Sequence, residues 1–62
     1  MCLVTIYQGE VHEASKLMEE VLRFELDLDQ RKLMASGFQG AREFEVPTGI
    51  VWSEDNDSLI IR

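Results

Sequence analysis

Cysteine, histidine and proline each occur once in this 62-residue chain, and its six basic residues face twelve acidic ones. A lone cysteine excludes an internal disulfide, and a tetrahedral zinc site would need several more cysteines or histidines than are present. No apolar run approaches the length of a membrane span, and the first residues carry neither a basic leader nor a cleavage site. A cytoplasmic protein with no membrane attachment is therefore expected. The formal net charge of −6 makes the chain soluble and repels phosphate backbones. Catalytic signatures are missing too: there is no glycine-rich phosphate loop, Gly-x-Ser-x-Gly elbow or His-Glu-x-x-His pair, so the chain reads as a non-enzyme.

What is present fits one small domain spanning residues 1–62. A chain of this length hides only about 60% of the surface its unfolded form exposes, so its own core is marginal. With no disulfide available, oligomerisation or a metal remains to strengthen it, and a homodimer is the simplest choice.

Residues 2–7 are apolar on both faces, with Cys2, Val4 and Ile6 pointing one way and Leu3, Thr5 and Tyr7 the other. Such a strand is buried twice, once by the domain core and once by other material such as a second subunit. Gln8-Gly9-Glu10 breaks it, Gly9 being free to take a positive φ. Val11, Ala14, Leu17, Met18, Val21 and Leu22 then repeat at helical spacing, which favours a helix over about residues 10–20, whereas Val21 to Asp27 alternates like a strand. In that strand Leu22, Phe24, Leu26 and Leu28 are expected to face the core. Asp27 to Gln30 reads as a turn and Arg31 to Ala35 as a short strand.

Ser36 to Gly40 forms a glycine-bracketed loop around Phe38. Ala41 to Val46 alternates again and ends at Pro47, with Phe44 and Val46 expected in the core. Gly49 to Ser53 and Leu59 to Arg62 flank Glu54-Asp55-Asn56-Asp57-Ser58, a closing hairpin with a solvated tip. Short strands at this spacing predict an all-β fold, a small barrel or rolled sheet of about five or six strands; the alternative is α+β with the helix near 10–20. Phe24, Phe44 and Trp52 are expected to be core, and Phe38 an exposed contact residue.

Cys2 supports two readings from its position alone. As a small hydrophobe it packs in a strand. As a ligand it offers its thiolate together with its own deprotonated amide nitrogen and the amine of Met1, a nearly planar N,N,S set closing two five-membered rings. That donor set suits Ni(II) or Cu(II). Cysteine at position two also permits removal of Met1, after which Cys2 presents its own amine and thiolate. His12, across the Gly9 turn, is a candidate second ligand, or an exposed loop histidine in an acidic stretch. Glu54, Asp55 and Asp57 lack the spacing and terminal Glu of a calcium loop.

The opening Met1-Cys2-Leu3-x-Thr5-x-Tyr7-x-Gly9, Leu17-Met18-Glu19-Glu20-Val21, the Glu25-x-Asp27 strand end, the Gly37-to-Gly40 aromatic loop and the Asp-rich hairpin closed by Leu59-Ile60-Ile61 together resemble the CooT family. These are very small bacterial and archaeal proteins that begin with Met-Cys, and the resemblance spans essentially the whole chain. It implies an Sm-like or Src-homology-3-like antiparallel β-barrel pairing as a homodimer. It further implies Ni(II) binding through Cys2 with Met1 beside it, a metallochaperone role toward a client such as carbon monoxide dehydrogenase, and a strand over Leu17 to Asp27. Departures occur at Asp27-Leu28-Asp29, at Leu33 to Phe38 and at Pro47, which bear on loop geometry and on the identity of the client.

Two subunits related by a two-fold axis would each supply one thiolate, giving one nickel per dimer. The competing expectation is an RNA-binding Sm-like module, a label many members of that family carry from fold alone. Against it stands the scatter of Arg23, Arg31, Lys32, Arg42 and Arg62 among twice as many acids, which leaves no basic stripe. A structural adaptor dimer with no metal role is the third.

Overall fold

A computed structural model describes residues 3–10 and 12–62; Met1, Cys2 and Val11 lie outside them. Every regular element among the described residues is a strand: β1 Val4–Gln8, β2 Ser15–Asp27, β3 Lys32–Gly37, β4 Gly40–Glu45, β5 Ile50–Ser53 and β6 Ser58–Ile61. They form one six-stranded sheet in the order β4-β3-β2-β1-β6-β5. The all-β expectation holds and the α+β alternative does not. No helix among these residues is long and apolar enough to cross a membrane.

The helical spacing in Leu17, Met18, Val21 and Leu22 has a different cause. Ile6 lies opposite Met18 and Val4 opposite Val21, so a step of two residues on β1 meets a step of three on β2. The additional residue is a β-bulge, and Glu20 within it takes a left-handed conformation with φ 58°. Met18 and Val21 therefore both turn to the core although they are three apart, which imitates a helix face. Further register shifts fall between the Ile6 and Tyr7 pairs and between the Val21 and Arg23 pairs. Each bulge bends the strand, so β2 serves β1 with its first half and β3 with its second.

The sheet curls around one core of Val4, Ile6, Met18, Val21, Leu33, Ala35, Val46, Leu59 and Ile61, with Leu17, Phe44 and Ile50 packed against it. Phe44 comes from β4 and Ile50 from β5, so both outer strands reach the same core. They do not hydrogen-bond to each other, and the sheet stays open. It is also mixed: β1 and β6 run parallel, Thr5 beside Ser58 and Gln8 beside Ile61. In place of the closed antiparallel barrel that the resemblance implies, the sheet is open, curled and mixed.

Several expected core residues lie at its rim. Leu22, Phe24 and Leu26 are exposed, because beyond the bulges β2 no longer has β1 beside it. Phe24, 37% exposed, leans on Trp52, 44% exposed, with ring centres 6.0 Å apart. Leu28 is 77% exposed. Asp27 Oδ1 accepts the Asp29 N–H at 3.0 Å and the Gln30 N–H at 3.1 Å, a side-chain-locked turn that leaves Leu28 at its tip. Val46 is buried and Phe44 half-buried as expected, and Phe38 is exposed.

Candidate functional site

The candidate metal ligands Met1 and Cys2 lie outside the described residues, but the strand they precede is well placed. β1 is an interior strand, with β2 on one side and β6 on the other. Its start is tied to the acidic turn between β5 and β6: the Thr5 N–H donates to the Asp57 carbonyl at 3.0 Å. Its other end is fixed by Gly9, whose N–H donates to the Ile61 carbonyl at 3.0 Å and whose φ of 126° suits glycine. His12 follows that far end, exposed in the connection to β2. The two ends of β1 are about 13 Å apart at strand rise. Among the described residues no three His, Cys, Asp or Glu side chains gather as a metal-holding group.

A second feature lies on the outer face of β1, β6 and β5, away from the core. Tyr7 pairs with Ile60 and Ile60 with Val51, and directly paired residues share a face. Ile60 is only 7% exposed, yet it is the one buried aliphatic side chain among the described residues outside the core cluster. These three side chains floor an open concavity of about 1090 Å³, walled by His12 and Ala14 and by Glu54, Asp55 and Asn56. Reading the sequence strand by strand missed it. Its signal was present, since residues 2–7 and 59–61 are apolar on both faces, but only their parallel pairing assembles the floor.

Five of the six cations are already engaged. Lys16 meets Glu19 at 3.3 Å, Lys32 meets Glu43 at 2.9 Å and Arg62 meets Glu10 at 3.4 Å. Arg42 donates to the Leu17 carbonyl at 2.8 Å and Arg31 to the Pro47 carbonyl at 3.4 Å. The Lys32 ammonium is raised above its ordinary value of 10.5, first by its hydrogen bond to Glu43 and then by the charge of that carboxylate, with Glu45 adding to it. No cation lines the outer concavity, whose charged rim is acidic. No family model, curated protein or solved structure matches the chain.

Proposed function

We propose that this chain is a small, non-catalytic nickel-binding accessory protein of the CooT type, cytoplasmic and dimeric. It holds Ni(II) through the Cys2 thiolate, the Cys2 amide nitrogen and the Met1 amine, and delivers the metal to a client metalloenzyme. The observation that carries the reading is the place of Met-Cys, one residue ahead of the strand at the centre of the sheet. A thiolate beside two backbone nitrogens prefers a square-planar metal over tetrahedral zinc. His12, exposed in the connection between β1 and β2, stays a candidate second ligand beside this set. The curled sheet, with its bent β2, fits a divergent Sm-like or Src-homology-3-like barrel left open between β4 and β5.

The dimer has support of its own. Leu22, Phe24 and Trp52 form an exposed apolar rim, and Leu22 follows Val21, the partner of the residue that opens β1. A two-fold contact over this rim would make an isologous dimer, in which each subunit offers one Cys2 thiolate and a single ion can be shared. Calorimetric titration with Ni(II), with oligomeric mass measured alongside, tests the reading. One nickel per dimer is expected for the wild type, with loss of binding in Cys2→Ser. Affinity should fall with pH, because thiolate and amide must lose their protons. Equal affinity in Cys2→Ser sinks the proposal. Intact mass establishes whether Met1 is retained or Cys2 presents its own amine.

A further inference from the structure

An open sheet has two free edges, and in this one they are treated differently. β4 carries Arg42, Glu43 and Glu45, and Lys32 of β3 pairs with Glu43, so its edge is guarded by charge in the usual manner. β5 is Ile50-Val51-Trp52-Ser53, without a single charged residue. An uncharged edge strand of β-branched and aromatic residues is a template for another strand. Which groups it offers follows from its pairing with β6. Gly49 and Arg62 exchange hydrogen bonds, Arg62 N–H to the Gly49 carbonyl at 2.8 Å and Gly49 N–H to the Arg62 carbonyl at 3.3 Å. Antiparallel ladders alternate, so Val51 and Ser53 also point their backbone groups at β6. The N–H and C=O of Ile50 and Trp52 are left directed outward.

We propose that β5 is a docking edge for an extended, basic segment of a protein partner, which adds to the sheet as a seventh strand. A residue of that segment opposite Val51 continues the row Tyr7, Ile60, Val51 across the outer face, so an apolar side chain there extends the floor of the concavity. Main-chain hydrogen bonds to Ile50 and Trp52 supply affinity, and the alternate side-chain position supplies selectivity. Charge decides the class of partner. The β5 strand runs into Glu54 and Asp55, no cation lines the concavity, and the chain carries −6 overall. A second copy of the same chain meets that charge with its own; a segment bearing Lys or Arg is attracted to it. The inference does not rest on nickel binding.

The probe is an acetylated, amidated Lys-Val-Thr-Val-Lys peptide, basic at both ends so that either strand direction sets a lysine beside Glu54. Binding is read from the emission of Trp52, the only tryptophan, and from amide exchange. The expected result is saturable binding with slowed exchange at Ile50 and Trp52. Affinity should be about tenfold or more lower for the Glu-Val-Thr-Val-Glu counterpart, for a Lys peptide N-methylated at alternate backbone nitrogens, and in the Glu54→Gln, Asp55→Asn double variant. Absence of binding overturns the proposal, as does equal binding of the N-methylated or acidic peptide, or protection at Ala41 and Glu43 in place of β5. Growth of protection with protein concentration alone at Ile50, which lies outside the proposed dimer rim, assigns the edge to a second copy and overturns it equally.

Discussion

Gly37 lies against the carbonyl of Glu20 so closely that a Cβ on it would overlap that oxygen and come within 3.0 Å of the Val21 Cα. The glycine is required by proximity: Gly37 pairs with Val21 where β2 bulges, and the bulge pushes backbone into the space a side chain would need. Gly37→Ala is expected to destabilise the fold by roughly 2–3 kcal/mol, at the upper range of overpacking because the obstacle is backbone. Urea denaturation reads the shift. A midpoint within error of the wild type would show that β3 can move away from β2 without loss.

Glu20 itself is the converse case. Its φ of 58° costs a residue with a Cβ about 1–2 kcal/mol, and a glycine in the unfolded chain costs about 0.4–1 kcal/mol in entropy. Glu20→Gly is therefore expected to be neutral to stabilising by roughly 1 kcal/mol, while Glu20→Val, β-branched in a left-handed position, loses stability. Thermal melts of the two variants should move in opposite directions or, for glycine, stay put. Equal losses in both would mean that the Glu20 side chain contributes a contact of its own.

That bulge also explains how far the sequence could be read. The strands outside it were legible, because Val4 and Ile6, Phe44 and Val46, and Leu59 and Ile61 keep a period of two or end at turn residues. Met18 and Val21 were not, since a bulge changes the period to three and makes a strand resemble a helix. Leu22, Phe24 and Leu26 alternate as a buried strand should, yet burial depends on what lies opposite, and β1 ends before them. The outer concavity needed the parallel pairing of β1 with β6, a long-range fact that no local pattern contains. Cys2 was singled out by chemistry alone, and it lies outside the described residues.

The raised Lys32 ammonium has a consequence for pH. A lysine that holds its proton more tightly in the folded chain stabilises the fold below its unfolded value of 10.5, and the contribution is lost as pH rises through the higher folded value. Lys32→Gln should therefore differ from the wild type at neutral pH and converge with it only once pH exceeds the raised folded value. The pair is exposed, so the difference should be small and should shrink in high salt. Denaturation midpoints at neutral pH and above the raised folded value, each at low and high salt, check this. A difference that persists unchanged at alkaline pH would assign it to the packing of the lysine stem.

Arg42 fastens the β4 edge of the sheet. Its Nη1 donates at 2.8 Å to the carbonyl of Leu17, which sits at the register shift between the Ile6–Met18 and Tyr7–Lys16 pairs. The same guanidinium lies 5.0 Å from the centre of the Phe44 ring. One side chain thus links β4 to the first half of β2, two strands that share no ladder. Lysine cannot reproduce a planar group that stacks and donates together. Arg42→Lys and Arg42→Met are each expected to lose about 1 kcal/mol, Met retaining the packing of the stem and losing the hydrogen bond. Hydrogen exchange locates the effect: protection should fall on β4 and at Val46, whose N–H donates to the Arg31 carbonyl at 2.8 Å, before it falls on β1 or β6. Uniform loss across all six strands would mean that β4 opens only with the whole fold and that Arg42 is not its fastening.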